Sequence, residues 1–221
     1  MTATKIPPVI AIDGPAASGK GTLARRLAKH FGYAYLESGR LYRAVAAKVL
    51  DLGLDPTNEA KTADVAQHLV PIDFEHPKLF EEATTRAAST VAAHGRVRAA
   101  LLAFQRNFAA SPPGGASGVV IDGRDIGTHV CPAAPHKLYL TASPEIRAKR
   151  RVAQLQDQGH KAIYHRVLAD IQDRDRQDET RQHSPLARAH DAHLLESSAL
   201  DADQVFAKAL ALISADPKPA E

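Results

Sequence analysis

Cysteine and aromatic residues are scarce in this sequence. Among 221 residues there is one cysteine, Cys131, and no tryptophan, and aromatic residues make up only 5%. A lone cysteine excludes an internal disulfide and a zinc site built from several cysteines, and it suits a reducing cytoplasm. No activating residue surrounds Cys131, which favours an inert thiol. Few aromatic residues also argue against a surface that stacks the bases of single-stranded nucleic acid.

Long apolar runs are absent as well. No run approaches the length of a membrane span, and the N-terminal apolar residues continue directly into a glycine-rich loop, so they indicate a first strand and not a signal peptide. The net charge is +3, and the arginines are spread over several segments without one dense basic tract. We therefore expect a cytoplasmic, monomeric protein whose basic residues form a pocket for phosphates, with neither nucleic acid nor a membrane as partner.

Short apolar runs alternate with segments of helical periodicity along the chain. The apolar runs predict strands near 9–13, 33–38, 118–122, 137–142 and 194–197. Helical spacing follows the first glycine-rich loop and recurs at 40–52, 82–109, 144–157, 163–180 and after 201, whereas 55–82 indicates short helical pieces and loops. This alternation predicts an α/β fold in which a central parallel sheet of about five strands is flanked by helices on both faces.

The most specific motif lies between the first strand and the first helix. Gly14, Gly19 and Lys20 fit the pattern G-x-x-x-x-G-K, in which backbone N–H groups, a helix N-terminus and the lysine bind the phosphates of a nucleotide. The alternative is a glycine-rich turn with an incidental lysine. The hydroxyl of Thr22 comes one position later than is usual, which fits a Mg²⁺ ion held through water. The predicted ATP-binding residues of this loop are Gly14, Pro15, Ala16, Ala17, Ser18, Gly19, Lys20, Gly21 and Thr22.

Three further segments combine arginines with carboxylates: LESGRLYR at 36–43, VVIDGRDIGT at 119–128 and DIQDRDRQDETR at 170–181. Each has an ordinary interpretation as a helix start, a charged turn or a helix with surface ion pairs. In the third segment the spacing i, i+4, i+7 places Arg174, Asp178 and Arg181 on one helix face, where they either pair in solvent or point at one site. The segment GRVRAAL at 95–101 could likewise be an exposed helix face.

Together with the phosphate loop, these segments resemble bacterial cytidylate kinases from one end of the chain to the other. The resemblance implies a three-layer P-loop kinase fold that transfers phosphate from ATP, with Mg²⁺, to CMP or dCMP. It also implies a single domain over 1–221, with a core at about 7–54, 111–145 and 185–215. An acceptor-binding insert would occupy about 55–110 and a helical lid about 146–184.

The resemblance also assigns roles to individual residues. It implies that Lys20, Arg124 and Arg181 are catalytic, that Arg151 binds ATP from the lid, and that Asp122 lies near the waters of the metal ion. The implied acceptor-binding residues are Ser38, Arg43, Ser89, Arg98, Arg124, Asp125, Arg174, Asp178 and Arg181.

Cytosine recognition has a simple chemical basis in this assignment. Asp125 would accept a hydrogen bond from the exocyclic amine of cytosine, and Arg98 would donate to a ring acceptor. Uracil has a carbonyl oxygen where cytosine has the amine, so it would face a carboxylate; an unpaired buried polar group costs about 1–3 kcal/mol. Cytosine should therefore be preferred to uracil.

The sequence departs from that family pattern at two places. Glu37 stands where an aspartate is usual, and 72–86 is shorter than the usual insert, without its extra strands. Two other classes of protein remain as alternatives: a different small-molecule P-loop kinase of the shikimate or gluconate type, and a module that binds nucleotide or nucleic acid without catalysis.

Overall fold

A five-stranded parallel sheet forms the centre of the computed structural model, which describes residues 8–157, 159 and 161–215. The strand order is β2-β3-β1-β4-β5, and every neighbouring pair is parallel. This confirms the predicted sheet. The predicted domain ends, 1–7 and 216–221, and lid residues 158 and 160 lie outside the described residues. The strands are β1 Val9–Asp13, β2 Ala34–Glu37, β3 Val119–Gly123, β4 His136–Thr141 and β5 His193–Glu196.

Eight α-helices connect and flank these strands in the described residues. Helical periodicity over 82–109 corresponds to two helices, which are separated at His94. Helical spacing was predicted to continue to residue 52, but α2 ends at Asp51, and Leu52 follows the helix and is exposed. The helices are α1 Lys20–Phe31, α2 Ser38–Asp51, α3 Glu59–Gln67, α4 Glu82–Ala93, α5 Gly95–Ala110, α6 Pro144–Asp157, α7 Tyr164–Thr180 and α8 Ala202–Ala215.

Strands β1 and β3 are buried on both faces of the sheet, which explains their continuous apolar runs. Ile10 and Ile12 point to one face and pack with residues of α1 and α8. Val9 and Ala11 point to the other face and pack with Ala109 of α5. Because successive side chains of a strand alternate between faces, a half-exposed strand would have shown a polar residue at every second position.

A second apolar cluster lies away from the sheet, where α2 packs against α3, α4 and α5. Leu41, Val45 and Val49 of α2 meet Val91 of α4 and Leu101 of α5 there. Between α3 and α4 the chain has only a short 3₁₀ helix at Pro71–Glu75 and turns, and the described residues of 68–81 include no strand. This agrees with the short helical pieces and loops that the sequence predicts over 55–82. Among the described residues, no helix is both long and apolar enough to span a membrane.

The carboxyl ends of β1 and β3 are adjacent, because Asp13 is in register with Gly123. In open parallel sheets, ligands bind outside the carboxyl ends of the strands. The glycine-rich loop follows β1, and the segment that contains Arg124 and Asp125 follows β3. The topology thus brings two of the predicted motifs to one edge of the sheet.

Candidate active site

The glycine-rich loop has a backbone that only particular residues can adopt. Gly14 has φ +147°, and a Cβ atom placed on it would lie 2.0 Å from the carbonyl oxygen of Leu140. Gly19, at the N-terminus of α1, has φ +95°. Both angles lie in the region that favours glycine, and the close approach to Leu140 excludes any side chain at position 14. The loop therefore has the conformation that lets backbone N–H groups face a phosphate.

Lys20 is folded back over this loop. Its Nζ donates to the carbonyl oxygen of Pro15 at 2.6 Å and lies 3.4 Å from Ser18 Oγ, and the residue is only 5% exposed. Burial and the nearby positive charge of Arg124 lower the pKa of Lys20 below its usual range. A buried ammonium group at this position is placed for an anionic ligand of the loop. Thr22 lies on the exposed side of the first turn of α1.

A carboxylate that sequence reasoning missed lies at the end of β1. Asp13 is buried and accepts the backbone N–H groups of Ile126 and Gly127 at 2.8 and 2.7 Å. Burial raises the pKa of Asp13 to about 6 despite these two hydrogen bonds. Asp13 fixes the start of the helical turn Ile126–Val130, so it positions the preceding Asp125. The triplet Ile-Asp-Gly, at 12–14 and again at 121–123, was the signal that could have identified it.

Asp122 is the last but one residue of β3, whereas Asp13 is the last residue of β1. The Tyr35 hydroxyl donates to Asp122 Oδ1 at 2.7 Å, and the Ser38 hydroxyl donates to the backbone oxygen of Asp122 at 2.7 Å. Burial raises the pKa of Asp122. A Cβ atom on Gly123 would lie 2.5 Å from Ser38 Oγ, so glycine allows the start of α2 to approach β3 this closely.

The carboxylates at this edge suit a hydrated ion. Among the described residues, no group of three or more His, Cys, Asp or Glu side chains could hold a metal by itself. Tyr35 occupies one oxygen of Asp122 and leaves the other for a further partner. Mg²⁺ keeps several waters and usually takes one or two carboxylates together with phosphate oxygens. This donor set therefore fits a magnesium ion bound largely through water and substrate.

A buried ion pair joins α5 to the segment after β3. Arg98 donates to Asp125 Oδ2 at 2.5 Å, and both side chains are no more than 7% exposed. The guanidinium group also donates to the carbonyl oxygen of Ala92 at 3.1 Å and lies 5.3 Å from the centre of the Tyr42 ring. The alternative of an exposed helix face for Arg98 is therefore wrong. A buried pair that offers both a donor and an acceptor can read the polar edge of a ligand.

Asp178 connects α7 to Arg124, the residue before Asp125. Arg124 Nε donates to Asp178 Oδ2 at 2.7 Å, and Arg181 lies 3.5 Å from Asp178 and 4.0 Å from Asp125. Burial alone would raise the pKa of Asp178, but the surrounding arginines, Arg124 first, hold it below its usual value. Arg181 also donates to the carbonyl oxygen of Ser184. The partners of Asp178 include a residue from another element, so an isolated, solvated helix is the wrong interpretation of this segment.

Positive charge exceeds negative charge beside this network. Burial lowers the pKa of Arg174 to about 10, and the neighbouring charges of Arg124, Arg43 and Arg151 act in the same direction. Within the described part of the chain, the Nε atoms of Arg43, Arg98 and Arg174 are buried without a hydrogen-bond partner. Unpaired buried donors are rare and costly, so a cluster of them at one place indicates an anionic ligand.

Glu37 is the partner of Arg43. Its Oε1 accepts from Arg43 NH1 at 2.8 Å, so the longer side chain at this position forms an ion pair with a residue of the arginine cluster. This cluster comprises Arg43, Arg98, Arg124, Arg174 and Arg181. Ser89 lies half-buried on α4, and in residues 8–157, 159 and 161–215 it has no hydrogen bond to Arg98 or Asp125. In the described part of the chain, neither Ser89 nor Ser38, which binds the backbone of Asp122, has a hydrogen bond to another predicted acceptor residue.

Residues 147–151 form a basic turn of α6, and two of its arginines, Arg147 and Arg150, bind other parts of the chain. Arg147 binds Asp175 of α7 through two hydrogen bonds of 2.6 and 3.0 Å and also donates to the carbonyl oxygen of Ala16 at 3.2 Å. Arg150 donates to the carbonyl oxygen of Ser197 at 2.6 Å. Sequence reasoning gave neither residue a specific partner. Because both bind backbone carbonyls, they attach α6 to the core.

Arg151 and Cys131 differ in their surroundings. Arg151, in the same turn, donates to Gln154 Oε1 at 2.8 Å, and burial and the nearby charge of Arg43 lower its pKa. Cys131 is half-buried, and burial raises its pKa to about 11, which keeps it a thiol at neutral pH. Arg151 thus lies with the arginines, and Cys131 has the properties of an inert residue.

Comparison with known proteins agrees with this geometry. The family model for cytidylate kinase matches residues 10–215. A cytidylate kinase of Paramagnetospirillum magneticum is 55% identical over 93% of this chain and 97% of that protein. A cytidylate kinase of Rhodopseudomonas palustris is 51% identical over 94% of this chain and 96% of that protein.

Similar solved structures are more distant in sequence. An uncharacterized protein from Eubacterium ventriosum has a TM-score of 0.53 at 15% identity, with 94% of this chain and 98% of that chain covered, which supports the fold alone. A gluconokinase from Sinorhizobium meliloti reaches a TM-score of 0.49 at 17% identity over 95% of this chain and 93% of that chain, too distant to bear on the substrate. The family match and the two close relatives together establish that this chain belongs to the cytidylate kinase family.

Proposed function

We propose that this chain transfers the γ-phosphoryl group of ATP to CMP or dCMP, with Mg²⁺, and releases ADP and CDP or dCDP. The observation that carries this proposal is the buried Arg98–Asp125 pair beside arginines with unpaired nitrogens. The pair suits the polar edge of a base, and the arginines suit a phosphate. Membership of the family and the names of its close relatives support the same acceptor.

The glycine-rich loop is the proposed donor site. Its backbone N–H groups would hold the β- and γ-phosphates, and Lys20 would leave the carbonyl oxygen of Pro15 to bridge them. Asp122 would hold a water of the magnesium ion, which when bound supplies charge neutralisation to the phosphates. Arg151 would bind ATP from α6. This half of the site depends on fixed positions for charge, as phosphoryl transfer requires.

The arginine cluster is the proposed acceptor site. Arg43, Arg124 and Arg181 would bind the acceptor phosphate, and Arg174 would line the sugar and phosphate. The charge of Arg124 acts on both Lys20 and Arg174, so Arg124 would also neutralise charge on the transferring group. An oxygen of the acceptor phosphate attacks the γ-phosphorus of ATP, and the bond to the β-phosphate oxygen breaks. No residue of the chain needs to carry the phosphoryl group, so the residues act by position and charge.

Base selection is assigned to the Arg98–Asp125 pair. Asp125 would accept from the cytosine amine, and Arg98 would donate to a ring acceptor. Ser89, on the neighbouring helix, and Ser38, held by β3, are proposed to contact the nucleotide. The arrangement favours cytosine over uracil because a carbonyl oxygen would face the Asp125 carboxylate.

The division into core, insert and lid stays part of this proposal. The separate apolar cluster of α2–α5 supports an acceptor-binding unit, and the α6–α7 cluster around Ala148, Val167 and Ile171 supports a lid. A cytoplasmic location, a monomer and the absence of nucleic acid as a partner remain predictions from the sequence.

The test is ADP release by the purified chain with ATP and Mg²⁺, measured against a panel of acceptors. The panel contains CMP, dCMP, UMP, AMP, GMP, shikimate and gluconate. We expect fast turnover with CMP or dCMP and little with the others. Turnover with shikimate or gluconate alone would overturn every acceptor residue named above while keeping the donor site. No turnover with any acceptor would favour a binding module.

A further inference from the structure

The short segment before α4 follows the surface of α2 toward the arginine cluster. At its start, His76 and Lys78 both bind the carboxylate of Asp51, the last residue of α2, at 2.8 Å. Leu79, which is 1% exposed, then packs on Ala44 and Ala47 of the same helix. The segment thus runs from the C-terminal end of α2 back toward its N-terminal end.

This path places Phe80 next to Arg43. The Arg43 guanidinium carbon lies 5.1 Å from the centre of the Phe80 ring, although Phe80 is 57% exposed. Glu37 holds the same guanidinium group by an ion pair of 2.8 Å. Arg43 is therefore held by a carboxylate and by an aromatic ring, while its Nε remains without a hydrogen-bond partner among the described residues.

A large exposed aromatic side chain next to a buried neighbour needs a reason. The ion pairs to Asp51 and the burial of Leu79 already hold the segment in place, so packing of the core does not account for the exposed ring at position 80. A ring face attracts a guanidinium group and fixes the orientation of its plane, which determines where its N–H groups point. In the arginine cluster, that direction decides how well Arg43 meets a phosphate.

We infer that Phe80 is a positioning residue for the acceptor: it orients Arg43 toward the phosphate of the nucleoside monophosphate. The short segment 76–81 supplies this contact from its own residues, fixed by Asp51 and Leu79. This inference rests on the proposed function, because it takes the arginine cluster as the acceptor site. It predicts that loss of the Phe80 ring changes KM for the acceptor and leaves KM for ATP unchanged.

The test compares steady-state kinetics of the wild-type chain with Phe80→Ala, Phe80→Leu and Phe80→Tyr. Phe80→Ala should raise KM for CMP and dCMP by about two- to fivefold, with kcat and KM for ATP unchanged. Phe80→Tyr keeps the ring and should restore the wild-type KM, whereas Phe80→Leu keeps bulk without a ring and should not. The matched control is Phe104→Ala, because Phe104 is also an exposed phenylalanine but contacts Phe74.

The outcomes separate this inference from the proposed function. An unchanged acceptor KM in Phe80→Ala, an equal rise in KM for ATP, or full recovery by Phe80→Leu would each overturn the positioning role while CMP turnover by the wild-type chain stands. If the wild-type chain turns over neither CMP nor dCMP, the proposed function fails, and the role of Phe80 fails with it.

Discussion

The phosphate loop and the arginine cluster hold their functional groups by different means. The loop is one continuous segment, 14–22, whose shape comes from glycines with positive φ and from the close approach of Gly14 to Leu140. The cluster is assembled from side chains of α2, α5, α7 and the segment after β3. Its members are held by carboxylates such as Asp125 and Asp178.

This difference determines what a substitution can do in each region. In the loop, the backbone supplies most of the donors and Lys20 is its one buried cationic side chain. In the cluster, several arginines share each carboxylate, so removing one group changes the orientation of its neighbours. We expect a single substitution in the loop to lower the turnover rate strongly. A single substitution in the cluster should instead change the preference between acceptors.

Loss of the loop lysine is the largest expected effect. Lys20→Ala removes the ammonium group placed for the terminal phosphates of ATP, and we expect kcat to fall by about a hundredfold or more. Initial rates of ADP release with saturating CMP measure this effect. Lys149→Ala, an exposed lysine on α6, is the matched control and should retain the wild-type rate. Near-normal turnover in Lys20→Ala would remove the loop from the proposed chemistry.

Asp13 tests the connection between the two regions. Its pKa is raised to about 6, so between pH 4 and 6 the folded chain binds a proton at Asp13 that the unfolded chain releases. Stability should therefore fall as pH rises through this range and on to about pH 7, by up to about 3 kcal/mol from this group, and not change further at higher pH. In Asp13→Asn, this fall of stability with rising pH should be absent.

Thermal unfolding of both proteins from pH 4.5 to 7.5 measures the difference. Asp170→Asn changes an exposed carboxylate of α7 and should keep the wild-type slope. If the unfolding temperature of the wild-type chain and that of Asp13→Asn depend on pH in the same way, the raised pKa of Asp13 is contradicted.

Asp125→Asn is expected to have the smallest effect, on selectivity. The amide keeps the shape of the side chain, but its NH₂ group can donate to the carbonyl oxygen of uracil. We expect the ratio of kcat/KM for CMP to that for UMP to narrow by about tenfold. Asp178→Asn is the matched control, because Arg124 is its partner and both acceptors should weaken alike. An unchanged ratio in Asp125→Asn would remove Asp125 from base recognition.

Individual residues show which features of the fold and the site could be predicted from the sequence. The strand before Gly14, the loop and α1 were predictable because apolar runs, glycines and helical spacing act over a few residues. The arginines of the cluster were found through the resemblance of their segments to a family, and their burial confirms that they do not lie on a solvated face. Asp13 and Tyr35 were missed, and the partner of Arg147 was not predicted, because each of these contacts joins residues that lie far apart in the chain.

The sequence by itself determined the parallel α/β fold, the phosphate loop and the residues available for an acceptor site, because these depend on local backbone preferences and on the order of elements. Only the tertiary structure decided which side chains of the site pair with each other. Tyr35 meets Asp122 across 87 positions, Arg124 meets Asp178 across 54, and Arg98 meets Asp125 across 27. Such partners depend on how the crossovers place strand ends and helices side by side, and this placement also decides which arginine nitrogens remain unpaired.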